Sequence, residues 1–116
     1  MSIERIEVGK RMSQAVVHGD TVYLAGQVAH EAAGKSVGEQ TREILANIDA
    51  LLARAGTDKT RLLSAQIWLA DISTFSQMNE IWDAWVAEGN TPARACVEAK
   101  LAAPQYTVEI MVVAAR

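Results

Sequence analysis

The sequence predicts an α+β fold of two layers, a mixed six-stranded sheet with two helices on one face, in the order β-β-β-α-β-α-β-β. Three observations predict it. Two β-rich runs flank a Gly19-Asp20 turn near the N-terminus. Two later segments repeat apolar residues at helical spacing. Two further runs, Leu62–Ala70 and Thr107–Ala115, are strand-like and apolar on both faces.

The elements follow in order. Ile3 to Val8 alternates weakly and reads as a short strand. Gln14 to His18 and Thr21 to Val28 form the hairpin arms, the second carrying Val22, Tyr23, Leu24 and Val28. His30 to Lys35 is a loop containing Gly34. Ser36 and Glu39, three residues apart, have the spacing of a capping box. Ile44, Leu45, Ile48, Leu51, Leu52 and Ala55 then form an apolar stripe, and Gly56 is a natural stop, so a helix is expected over Gly38 to Ala55. Leu62 to Ala70 is a buried strand. Ser73 or Thr74 caps a second helix with the stripe Phe75, Met78, Trp82, Trp85 and Val86, ending at Gly89. Asn90-Thr91-Pro92 is a turn. Ala93 to Ala99 and Thr107 to Ala115 are the last two strands, joined by a loop containing Pro104. Two helices cover only one face of such a sheet. Burial of the other face against further copies of the chain is the simplest remedy, which predicts a homo-oligomer.

Composition narrows the classes. With 116 residues, the chain is expected to form one domain, residues 1–116. Half of it is hydrophobic and 22% is charged, as in globular proteins. The net charge is −3, and no Lys/Arg cluster stands out, which argues against nucleic acid as a partner. No apolar run approaches the roughly 20 residues that span a bilayer, so no membrane partner is expected. The first residues, Ser2-Ile3-Glu4-Arg5-Ile6-Glu7, are too charged for a signal peptide. Cys96 is the only cysteine, which points to a reducing compartment and a cytoplasmic location. His18, His30 and Cys96 do not make a structural zinc site, and no metal site is expected.

The chemistry-bearing residues lie near the C-terminus. Arg94 and Glu109 each interrupt an apolar strand run. Ionised side chains are rarely buried unless paired, so each faces water, the other, or a ligand. If they face one pocket, Arg94 supplies a fork for a carboxylate and Glu109 a group that moves protons. Alternation puts Arg94, Cys96 and Glu98 on one face of their strand and Ala93, Ala95 and Val97 on the other. The competing readings are structural: Arg94 as a rim arginine paired with a nearby acid, and Glu109 as a partner for Arg94 or Lys100. For Cys96 a small buried hydrophobe is favoured over a reactive thiolate, since no histidine lies nearby in sequence. Gly26-Gln27 ends an apolar strand, where a glycine either lets a ligand or backbone approach closely or marks a bulge. Trp68, Trp82 and Trp85 read as core or subunit-interface residues.

The run Pro92-Ala93-Arg94-Ala95-Cys96-Val97-Glu98, followed by Val108-Glu109-Ile110, resembles the signature of the Rid/YjgF family, the RidA-like reactive intermediate imine deaminases. Val22-Tyr23-Leu24-Ala25-Gly26-Gln27-Val28 is similar to the family's strand ending in Gly-Gln, and Met78-Asn79 with Trp82-Asp83-Ala84-Trp85 to its second helix. That second helix and Arg11-Met12-Ser13 look like a YoaB-like branch. The resemblance implies a chorismate-mutase-like fold and a homotrimer with clefts between subunits. It implies hydrolysis of small-molecule 2-imino acids, which arise from 2-aminoacrylate, to 2-oxo acids and ammonia, with no metal or organic cofactor. By the same resemblance, Arg94 binds the substrate carboxylate, the backbone N–H of Cys96 helps hold it, and Glu109 activates water. The carbonyl of Gly26 lies near that water, and Asn79 lies near the cleft. The chain departs from the founding branch at Met12 and Ala25, which stand where that branch has a tyrosine and a serine. The substitutions make the cleft more apolar. They keep a rival reading open, a non-catalytic protein that binds 2-oxo acids in the same cleft. A ribonuclease, an activity the resemblance offers through some members of the family, is disfavoured by the acidic pI of about 5.3 and the missing basic patch.

Overall fold

The computed structural model describes residues 1–116. Six strands form one sheet: β1 (Ile3–Val8), β2 (Ser13–His18), β3 (Thr21–Leu24), β4 (Leu62–Leu69), β5 (Ala93–Glu98) and β6 (Val108–Ala115). Two α-helices, α1 (Val37–Arg54) and α2 (Phe75–Trp85), complete the predicted order. The strand order across the sheet is β1-β2-β3-β6-β4-β5. All neighbours are antiparallel except β4 and β5. A parallel pair needs a crossover, and α2 supplies it. The last strand, β6, inserts between β3 and β4, which are themselves joined through α1.

The helix boundaries have local causes. Ser36 accepts the Glu39 N–H at 3.2 Å, and its hydroxyl donates to the Glu39 carboxylate at 3.1 Å. This closes the N-terminus of α1 with the two residues expected. At the other end Gly56 takes φ 82°, its N–H reaches the Ala53 carbonyl, and the Thr57 N–H reaches the Leu52 carbonyl, a Schellman ending. The second helix differs from expectation at both ends. Thr74 stands at the N-cap position of α2 but makes no side-chain capping bond; the bond comes earlier, where the Asp71 side chain accepts from the Ser73 N–H and caps a short 3₁₀ turn, Ile72–Thr74, that leads into α2. The helix then stops at Trp85 rather than running to Gly89. Lys59 Nζ takes the Trp85 carbonyl at 2.6 Å, and Val86 turns extended.

The helix layer covers one sheet face. Val37, Gln40, Thr41, Ile44, Leu45, Ile48, Leu51 and Leu52 are the buried stripe of α1. They meet Ala15, Val17, Val22, Leu24, Ala65, Ile67, Val108, Ile110 and Val112 from alternate strand positions in one core. The opposite face has no cover within the chain. There Tyr23 is 48% and Val97 52% exposed, beside half-buried Val16, Trp68, Met111 and Val113. No helix is long and apolar enough to cross a membrane.

The third strand is shorter than predicted, and the reason locates the site. Pairing with β6 runs Thr21–Ala115, Val22–Ala114, Tyr23–Val113, and resumes as an isolated bridge, Gln27–Ile110. Leu24, Ala25 and Gly26 therefore oppose only Val112 and Met111. The extra residue is a β-bulge at Ala25–Gly26. It breaks the strand that hydropathy alone extends to Val28.

Candidate active site

The structure divides the candidate residues into two groups on opposite faces of the sheet. Arg94 and Cys96 pair in register with Ala65 and Ile67, which are buried beneath the helices. Glu109 pairs with Trp68, and Trp68 with Val97, all on the open face. Arg94 and Glu109 of one chain therefore do not share a pocket.

The Arg94 group is built by β5 and α2. On α2, Phe75, Asn79 and Trp82 lie at i, i+4 and i+7 and so share one helix face. Asn79 Oδ1 accepts from Arg94 Nη1 at 2.8 Å. The guanidinium carbon lies 5.3 Å from the Trp82 ring centre and 5.7 Å from that of Phe75, within cation–π range. The fork is thus oriented, yet most of its five donors are left over. No carboxylate of the chain pairs with it: the ion pairs are Arg54–Glu7 and Arg116–Glu4, both exposed. The rim-arginine reading of Arg94 fails on this count, and so does pairing of Glu109 with Arg94 or Lys100. Cys96, one strand repeat beyond Arg94, packs against the core. Burial pushes its thiol above the usual range, and the Arg94 charge offsets this only in part. It is a protonated, small apolar group.

The Glu109 group is built by β6 and the bulge. A Cβ on Gly26 would collide with the Glu109 carboxylate, whose Cδ lies 3.1 Å from that position. Gly26 is therefore a glycine for space: it marks the bulge, and the group that comes close to it is the Glu109 side chain. Neither its N–H nor its C=O makes a backbone hydrogen bond. Burial, without a compensating partner, raises the Glu109 pKa above the usual carboxylate range. Ala25 belongs to this group, its N–H bonded to the Gln14 carbonyl at 2.9 Å. Met12 lies two residues before Gln14, exposed at the turn between β1 and β2. His30 and His18 stay outside both groups. His30 Nδ1 lies 3.1 Å from the Tyr106 hydroxyl.

Sequence reasoning missed the two aromatic rings that hold Arg94. Phe75 and Trp82 read as part of an apolar stripe. The signal was present in the helical spacing that brackets the polar Asn79. It also missed Gln27, a buried amide beneath the bulge.

The two-layer α+β fold and the sequence that forms it both have known relatives. Residues 2–116 match the family described as Endoribonuclease L-PSP. The RutC family protein YoaB of Escherichia coli (strain K12) is 44% identical over 115 residues, covering 99% of each chain. A crystal structure of a YjgF family member from Neisseria meningitidis superposes with a TM-score of 0.97 at 44% identity, covering 100% of this chain and 96% of that one. More distantly, a rat protein named 2-iminobutanoate/2-iminopropanoate deaminase is 32% identical over 107 residues, 88% of this chain and 77% of its own. The chain belongs to the YjgF/Rid family.

Proposed function

We propose that this protein hydrolyses 2-imino acids to 2-oxo acids and ammonia, in a homotrimer whose clefts join Arg94 of one protomer to Glu109 of its neighbour. The observation that carries the reading is the division of the site. Arg94 is oriented and has no counter-ion in its own chain, while Glu109 is desolvated on the opposite sheet face. Two such half-sites form one site only across a subunit boundary. The uncovered apolar sheet face supports the oligomer. The name of the rat relative supports the chemistry.

In this mechanism Arg94 grips the substrate carboxylate and fixes C2. A water sits between the Glu109 carboxylate and the Gly26 carbonyl. Glu109 takes a proton from the water as its oxygen bonds to C2, and the C=N π pair goes to nitrogen. The tetrahedral intermediate then expels ammonia. Glu109 returns that proton to nitrogen, then takes the hydroxyl proton of the intermediate and passes it to nitrogen as well; the C–N bond breaks with its pair leaving on NH3, and the oxygen lone pair freed of its proton forms the C=O bond. The raised pKa of Glu109 makes the carboxylate a stronger base for the first step and a useful proton donor for the second. The acidic balance of the chain, net −3, gives no footing to the ribonuclease reading carried by the family description.

A coupled assay tests the activity. An amino-acid oxidase generates 2-imino acids in situ, and semicarbazide competes for them. The wild type is expected to suppress semicarbazone formation for small, aliphatic or aromatic amino acids, and the pattern ranks its substrates. No suppression for any of them, with the oligomer intact, overturns the reading in favour of a protein that binds 2-oxo acids without turnover.

A further inference from the structure

The bulge at Ala25–Gly26 is held from beneath by one side chain. Gln27 is only 8% exposed and lies on the helix side of the sheet, the side away from Glu109. Its Nε2 donates to the Ala25 carbonyl at 3.0 Å and to Gln14 Oε1 at 3.0 Å. The direction of these bonds is fixed by chemistry. The Ala25 carbonyl can only accept, so Gln27 must offer nitrogen to it, and Gln14 must then offer oxygen. The main chain of Gln27 exchanges two bonds with Ile110, at 2.8 and 3.1 Å, and so locks the residue beside β6. Its side chain reaches back two residues to the only carbonyl of the bulge that is taken up within the chain. That bond sets the Ala25–Gly26 peptide plane. The Gln27 N–H bond to Ile110 fixes the next plane, Gly26–Gln27, which carries the Gly26 carbonyl; Gln27 thus holds both planes that flank Gly26, the residue packed on Glu109. A polar cavity of about 310 Å³, lined by Glu7, Gln14, His30, Asn47 and Arg54 among others, opens on the same side of Gln27. The amide therefore stands between this cavity and the bulge.

We propose that Gln27 is a positioning residue for the water-activating half of the site: its buried amide holds the bulge in the one shape that sets Gly26 against Glu109. It touches neither substrate nor water. The proposal rests on the deaminase reading for its kinetic consequence, but not for its structural one.

The test is Gln27→Met, which keeps length and apolar volume and removes the donor, compared with Gln14→Leu, which removes the second acceptor but leaves the Ala25 bond. Both are measured as intact oligomers, with rates normalised to folded protein. Gln27→Met is expected to lower kcat at least about tenfold, the equivalent of one lost hydrogen bond at the transition state. KM for the imine and inhibition by a 2-oxo acid, which report on Arg94, are expected to stay near wild type. Gln14→Leu is expected to lower kcat less. A second readout is the titration of the Glu109 carboxyl carbon by NMR. Its midpoint is expected to drop towards the ordinary carboxylate value in Gln27→Met, because a relaxed bulge admits water. A Gln27→Met protein with wild-type kcat and an unmoved Glu109 midpoint overturns the proposal. So does a loss shared equally by kcat and inhibitor binding, the mark of general destabilisation. A wild type that hydrolyses no imine defeats the deaminase reading instead, and the Glu109 midpoint alone then decides the role of Gln27.

Discussion

At the β5 edge, Arg94 is held by contact: an amide oxygen at 2.8 Å and two aromatic rings within 6 Å of its guanidinium. On the other face of the same sheet, Glu109 is held by the absence of contact. A missing Cβ makes room for its carboxylate, and its pKa is raised by burial alone. The difference follows from what each group has to do. A binding group gains from being fixed and permanently charged, and arginine surrounded by π-faces is both. A proton carrier must visit two protonation states, so strong partners for either state would trap it. The sheet keeps the two environments apart by placing them on opposite faces.

The largest expected effect comes from removing the fixed group. Arg94→Ala should lower kcat/KM by roughly 10²–10⁴-fold, the worth of a bidentate charged pair, while the oligomer survives. Mixing then turns the comparison into a test of geometry. Arg94→Ala and Glu109→Gln chains, each inactive alone, are co-refolded in equal amounts. If every site takes one group from each of two protomers in a closed ring, about one quarter of wild-type activity should return, since about one site in four is intact. No recovery in verified mixed oligomers would place both groups on one protomer's side of the cleft and break the division argued here.

Glu109→Gln alone should cost roughly 10²–10⁴-fold in kcat with KM little changed. The pH dependence carries a sign. The carboxylate is the active form, so wild-type activity should fall as pH drops through a midpoint above the ordinary value of 4.5. Stability should move the other way. A carboxyl whose folded pKa is raised favours folding fully only below its unfolded pKa, and that contribution is lost as pH rises through the folded value. Glu109→Gln should therefore raise the melting temperature at neutral pH, and the gain should vanish below the ordinary carboxylate pKa. A melting curve indifferent to the substitution at both pH values would mean that Glu109 is not desolvated.

Much of this was legible in the strand and helix patterns, and the exceptions share a cause. The capping residues of α1 and the single covered sheet face follow from local spacing and from counting helices. The alternation that groups Arg94 with Cys96 survives because it depends on one strand only. The relation of Arg94 to Glu109 was not legible. It depends on β6 inserting between β3 and β4, a long-range pairing that no local pattern encodes. The bulge was half legible: Gly26 marked the place but not the register change. The end of α2 was misread because Lys59, which takes the Trp85 carbonyl, comes from 26 residues away.

A smaller effect sharpens the Arg94 side. Asn79→Ala removes the one hydrogen bond that orients the fork but leaves the charge and both rings. The expected result is a KM increase of about tenfold, from a bond worth about 1.5 kcal/mol, with kcat changed less. An unchanged KM would mean that the rings alone hold Arg94.

The smallest effect is expected at Cys96, the residue closest to Arg94 along its strand face. Proximity to a cation is the usual route to a reactive thiolate. Here burial outweighs the cation, and the net shift is upward. The thiol therefore stays protonated at neutral pH, and no titratable base is bonded to it. Cys96→Ala removes about one methylene's worth of core contact, about 1 kcal/mol of stability, and leaves the main-chain N–H in place. Turnover in the imine assay should fall by less than about tenfold, that is, under 1.4 kcal/mol at the transition state. Loss of all turnover in a folded Cys96→Ala oligomer would put the sulfur into the chemistry. The division of labour between a gripped arginine and a loosely partnered glutamate would then need a third member.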